Sequence, residues 1–176
     1  LNASNSHIVL TTQRLTLREM TMKDLDFIAA MLSHPEVMKY YPKLYSRDEA
    51  AEWIRRQQNR YAKDGYGLWL AINRENQNPI GQIGLVRHII EGEVCDEIGY
   101  LIQRPYWRNY YATEAATAVR DYAFNALHMN TVCSLIRPEN KPSLGVAKKL
   151  GMTPLKEVMF AGYVHVHLAV TKKSAK

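Results

Sequence analysis

The sequence predicts one α+β domain built on a central, mostly antiparallel sheet. Three observations carry that prediction. The chain has 176 residues, near the common size of a single domain. Its segments read in the order strand, two helices, three strands, helix, strand, helix, two strands, a mixture in which successive strands are mostly neighbours and pair antiparallel. One piece, Val94 to Arg137, runs strand–helix–strand and calls for a parallel pair with a right-handed crossover.

Leu1 to Thr12 lacks the basic start and apolar run of a signal peptide and reads as a polar tail, so the domain is placed at 13–171, with a short tail over 172–176. Arg14 to Glu19 alternates, with Leu15 and Leu17 on one face, as a strand does. Thr21 caps a helix whose Leu25, Ile28, Ala29 and Leu32 fall at helical spacing, and His34-Pro35 stops it. Ser46 and Glu49 form a capping box for a second helix, with Ala50, Trp53, Ile54 and Tyr61 inward and Gly65 at its end. Strands follow at Leu68–Asn73, Ile80–Ile90 and Val94–Gln103, separated by the polar turns Arg74–Pro79 and Glu91–Glu93. A helix from Tyr111 to Leu127 precedes the strand Thr131–Arg137. A short helix, Pro142–Leu150, ends at Gly151. Thr153–Phe160 and Tyr163–Thr171 close as a hairpin around Ala161-Gly162.

Composition narrows the function. The formal net charge of +6 favours anionic ligands, but the charges are scattered and form no basic stripe with interleaved aromatics, so direct nucleic-acid binding is not expected. No apolar run approaches the roughly 18 residues of a membrane helix. The two cysteines, Cys95 and Cys133, make no disulfide framework and read as small buried side chains of a reducing, cytoplasmic setting. His165 and His167 share one strand face, yet no carboxylate or cysteine at good spacing completes a metal set, so no metal is expected. A possible homodimer has no motif that fixes it.

Two junctions offer chemistry. The first is the strand Glu97–Gln103, the loop Arg104–Tyr110 and the helix beyond. Its free N–H groups, with Arg104 and Arg108, suit a pyrophosphate. The second is Arg137-Pro138-Glu139-Asn140-Lys141-Pro142-Ser143. There Pro142 starts the helix, Lys141 is non-helical, Asn140 is held just outside the helix start, and Ser143 lies in its first turn. Taken singly, the first is equally an ordinary connection and the second an Asn cap.

Together the two runs resemble the GNAT acetyltransferases. E-I-G-Y-L-I-x-x-P-Y-W-x-x-x-Y-A-T-E-A, Glu97 to Ala115, is similar to that family's acetyl-CoA motif, and R-P-E-N-x-P-S-x-x-V-A-x-K-L-G-M, Arg137 to Met152, to its second cofactor motif. Pro35–Met38 and the I-G-x-I-G run from Ile80 resemble the RimJ/RimL-type branch of ribosomal-protein N-terminal acetyltransferases. The resemblance implies the GNAT acyl-CoA N-acyltransferase fold, with helices flanking the sheet. It further implies transfer of acetyl from acetyl-CoA to a primary amine, a protein N-terminus or a small amine, by direct attack in a ternary complex.

Carried onto matching positions, it implies that the backbone of Leu101, Ile102 and Gln103 pairs with the pantetheine arm beside a splay between this strand and Thr131–Arg137. The amides of Arg108, Asn109, Tyr110, Tyr111, Ala112 and Thr113 would hold the pyrophosphate. Asn140 would bond the pantetheine, Ser143 would protonate the departing thiolate, and backbone amides near Leu101 would steady the oxyanion. Glu97 matches a glutamate base. Tyr40, Tyr41, Trp69 and Tyr100 are candidate acceptor-pocket aromatics. One departure stands out: the family carries glycine where this chain has Arg108 and Tyr110, so Tyr110 must point outward or the loop must change course. The alternative reading is a CoA-binding sensor or interaction module with a degenerate phosphate loop.

Overall fold

The computed structural model describes residues 7–173. It contains one eight-stranded sheet and four α-helices, with strand order β1-β2-β3-β4-β5-β6-β8-β7. Every neighbouring pair is antiparallel except β5 (Glu93–Ile102) with β6 (Thr131–Ile136). The expected α+β class and mixed sheet therefore hold.

Period-two alternation gives the central strands two buried faces. On one, Leu68 and Leu70 of β3 (Leu68–Asn73), Val86 of β4 (Pro79–Ile90) and Leu101 of β5 pack against Ile28 and Met31 of α1 (Leu25–Leu32) and Ile54 of α2 (Arg47–Asp64). On the other, Trp69, Ala71, Ile83, Leu85 and Ile98 meet Ala115, Ala116, Val119 and Ala123 of α3 (Tyr111–Asn125). Gly84 lets β3 approach closely: a Cβ there would stand 2.0 Å from Gly67 O, the carbonyl that accepts from Leu85 N. The capping box of α2 forms as read: Ser46 Oγ accepts from Glu49 N at 3.3 Å, and Ser46 N donates to Glu49 Oε2 at 2.8 Å.

Three expectations change. The tail placed over 1–12 contains a strand, β1 (Ile8–Thr11), which pairs with β2 (Leu15–Arg18) at the sheet edge; what lies before residue 7 is outside the described residues. Ile-Val-Leu-Thr is β-prone, but at four residues too short to register as an alternating segment. Second, α4 spans Lys141–Lys149, so Lys141 is helical and Pro142 is its second residue. The tight turn Asn140 N→Arg137 O (2.9 Å) and Lys141 N→Glu139 O (2.9 Å) delivers the chain into the helix one residue early. Third, Cys95 and Cys133 are buried as expected but joined in a disulfide, Cα–Cα 6.2 Å, so the reducing setting read from two separate thiols loses its basis. A separation of 38 residues hid the contact, because only the β5–β6 pairing brings them together.

The hairpin of β7 (Thr153–Phe160) and β8 (Tyr163–Thr171) completes the sheet. Its two-residue turn places Ala161 at φ 49° and Gly162 at φ 82°, the twin positive values that match strand twist.

Candidate active site

The site begins where β5 and β6 part. Their register consists of the single pair Glu97↔Cys133, beside the disulfide. Beyond it, side chains replace the ladder: Ser134 Oγ donates to Ile98 O at 3.0 Å, and Leu135 N donates to Glu97 Oε1 at 3.3 Å. Gln103 N donates to Ile80 O at 2.9 Å. By antiparallel alternation, the odd-numbered residues of β5 then turn their backbone groups to β4, and Ile98, Tyr100 and Ile102 turn theirs to the gap. Ile102 O already accepts from Trp107 Nε1 at 2.6 Å. Of the three residues expected to offer backbone here, Leu101 and Gln103 therefore face β4, Ile102 faces the gap, and Tyr100 is the fuller open edge.

At the outer end of the gap lies the loop before α3. Arg108 and Tyr110 both adopt left-handed backbone, φ 61° and 62°. These are the two positions where the resembled loop carries glycine, so the loop keeps its course in spite of the side chains. Each such residue costs roughly 1–2 kcal/mol relative to ordinary backbone. Tyr110 is 67% exposed, with Lys149 Nζ 4.3 Å from its ring centroid. The first turn of α3, Tyr111, Ala112 and Thr113, presents N–H groups with no intrahelical acceptor and the positive end of the helix dipole.

Arg14 braces this loop. Its Nη2 donates to Asn109 O at 3.0 Å, its Nε to Glu114 Oε2 at 2.6 Å, and its guanidinium lies 4.3 Å from the Tyr111 ring centroid. Sequence reasoning missed this role, since nothing near Arg14 signals a partner one hundred positions away.

The inner end is held by α4. Asn140 Oδ1 accepts from Ser143 N at 3.2 Å, the cap of the helix. Its Nδ2, like Ser143 Oγ, has no hydrogen-bond partner among the described residues, so capping and ligand binding are compatible in one side chain. Tyr100 OH donates to Ser143 O at 2.9 Å and fastens the turn to β5. Burial drives the Tyr100 hydroxyl far above its ordinary range, so it stays a neutral donor.

On the α1–α2 face of the gap, Tyr41, Trp53, Arg56, Arg60, Gln82 and Glu97 line a cavity of about 140 Å³, which Tyr100 also reaches. Glu97 Oε2 lies 2.8 Å from His88 Nε2, giving the candidate base an imidazole behind it. Of the other aromatics singled out, Tyr41 lines the cavity. Trp69 is core, edge-on to Tyr122 at 5.7 Å, and Tyr40 sits by Lys39 instead. The structure also brings Cys95 and Cys133 to His167, all ligand atoms within 4.8 Å, but the joined sulfurs leave no thiolate to bind a metal.

A parallel strand pair that opens into a gap, with a phosphate-suited helix start at one end and a capped helix turn at the other, defines a class: transferases that lay an acyl thioester of a nucleotide carrier across a sheet. The comparisons narrow it. Residues 14–153 match the acetyltransferase (GNAT) domain model, and the chain belongs to that family of acetyl-CoA-using acyltransferases. It is 38% identical to the Bacillus subtilis protein YkkB over 84% of this chain and 87% of that one. It is 32% identical to the N-acetyltransferase YnaD of the same organism over 81% of each. Among solved structures, an acetyltransferase from Agrobacterium tumefaciens superposes with a TM-score of 0.82 at 27% identity, covering 98% of this chain and 99% of that one. Among the described residues no helix is long and apolar enough to cross a membrane.

Proposed function

We propose that this enzyme moves acetyl from acetyl-CoA straight to a primary amine, a protein N-terminus or a small amine, within a ternary complex. The observation that carries the reading is the β5–β6 gap. Its open edge at Tyr100 is flanked by the free amides of α3 and by the unpartnered Asn140 Nδ2 and Ser143 Oγ. The acetyl donor fits there with its diphosphate on the amides of residues 108–113 and its amide-bearing arm along β5 and Asn140.

In this reading the amine enters from the α1–α2 face, gives a proton to Glu97 directly or through water, and attacks the thioester carbonyl. Ser143 Oγ, in the positive first turn of α4, donates a proton to the departing thiolate. His88 holds the Glu97 carboxylate in place. Proximity supplies much of the rate, so no covalent enzyme intermediate is needed. Support for the RimJ/RimL-type branch comes from Pro35–Met38 and the I-G-x-I-G run; a Vibrio cholerae structure titled a putative ribosomal-protein-serine acetyltransferase shares the fold, TM-score 0.77 at 21% identity.

The test measures free thiol released from acetyl-CoA across a panel of peptide N-termini and small amines. Turnover that needs both substrates, with no acetyl-enzyme trapped when the amine is omitted, is expected. Acetyl-CoA binding without turnover on any amine overturns the reading.

A further inference from the structure

We infer that the acceptor is an acidic amine, one carrying a carboxylate beside its reacting nitrogen, recognised by Arg56, Arg60 and Gln82. This deepens the proposed function and rests on it. Gln82 is a polar residue in an apolar strand, 1% exposed. Trp53 Nε1, which can only donate, bonds Gln82 Oε1 at 2.9 Å and so fixes the orientation of the amide. Gln82 Nε2 is left as a buried donor with no partner among the described residues. A buried unsatisfied donor destabilises a fold unless something answers it, and what answers it here is an oxygen.

The charges around the cavity ask for the same thing. Arg56 and Arg60 stand four apart on α2, a like-charge spacing that weakens a helix. Among the described residues neither lies within ion-pair distance of a carboxylate: Arg56 rests by the Trp53 ring at 5.3 Å, and Arg60 Nη1 bonds the neutral Gln57 Oε1 at 3.1 Å. Burial first, then repulsion from Arg56, makes the charge of Arg60 harder to hold, and Asp64 and Glu97 offset this only in part. Glu97, the one acid lining the cavity, already meets His88 and Leu135 N. The cavity thus has two unmatched cations and one unmatched donor near a carboxylate suited to an amine. Polyamines and other polycations are repelled by that set, and an acceptor with adjacent amine and carboxylate completes it.

The experiment compares kcat/KM for tripeptide amides whose first residue is aspartate, asparagine or lysine, with glycine, glycinamide and spermidine as a second arm. The peptide arm and the free-amine arm separate a protein acceptor from a small one. Expected is about a ten-fold preference for the acidic member over its amide, the size of a charge-assisted hydrogen bond. Arg60→Gln should bring the acidic-to-neutral ratio toward one. Gln82→Glu, which still accepts from Trp53, should bring it below one. Equal rates in wild type, or preference for the basic members, overturns the inference, as does a ratio untouched by Arg60→Gln. If no amine is acetylated, the proposed function fails on its own, and calorimetry of the same peptides with CoA-loaded enzyme still decides here: tighter binding of the aspartate peptide supports the inference, equal binding ends it.

Discussion

Asn140 and Ser143 occupy one helical turn yet carry different expectations. The Asn140 side chain divides between a cap to Ser143 N and a free amide, whereas Ser143 commits only its backbone, with N–H to Asn140 and C=O to Tyr100. Ser143→Ala therefore leaves the turn intact. It is expected to lower kcat by roughly 10²-fold, the low end for a lost general acid, with little change in acetyl-CoA affinity. An unchanged kcat removes Ser143 as the acid. Arg108 and Tyr110 were legible as departures because glycine is the residue such a loop wants. What could not be read was whether the backbone would follow the side chains, and it did not: both stay left-handed. Tyr110→Gly is then expected to keep or raise the melting temperature and acetyl-CoA affinity, while Ala112→Gly, inside the helix, lowers stability by about 1 kcal/mol. A clear loss of stability in Tyr110→Gly would show that the loop depends on the phenol and its contact with Lys149.

At the level of elements, periodic segments were legible and their meetings were not. The alternation of β3 to β5, the capping box of α2 and the closing hairpin appear within a residue or two of their expected bounds, because each is written in local pattern. The gap between β5 and β6 came from family resemblance, since where a parallel pair stops depends on residues far apart in sequence. The same blindness hid the disulfide, the Arg14 brace and the partnerless amide of Gln82. Within that geometry the disulfide closes the sealed end of the gap. By loop-closure entropy over its 38-residue separation it contributes about 3–4 kcal/mol. A dithiol reductant, or Cys95→Ser with Cys133→Ser, is expected to lower the melting temperature by roughly 6–16 °C. Reductant should have no further effect on the double variant. Coincident melting curves for wild type with and without reductant would show that the link adds nothing to stability.

For the whole molecule, two carboxylates tie the N-terminal strands to the rest, and both set how the fold meets acid. Asp24, 8% exposed, takes two bonds from Arg18, Nη1 to Oδ2 at 2.8 Å and Nη2 to Oδ1 at 2.6 Å, and a third from Thr21 N at 2.8 Å. Glu114, at the start of α3, takes Thr12 Oγ1 and Arg14 Nε, each at 2.6 Å, and Arg14 N at 2.8 Å. Burial pushes each pKa up, but the bonds and the arginine charges outweigh it, and both groups end below their ordinary values of 3.8 and 4.5. A lowered folded pKa means the unfolded chain takes up the proton first as pH falls. The stability these groups add is therefore complete above about pH 5 and is lost below it, as pH drops through the unfolded and then the folded values. Urea unfolding followed from neutral pH to about pH 3 should show a steep acid limb in wild type. Asp24→Asn with Glu114→Gln starts lower, having lost charge-assisted bonds, but should fall less steeply, because neither amide can take up the linked proton. Acid limbs of equal slope would mean that the linkage resides in other carboxylates and that these two anchors act as neutral hydrogen bonds would.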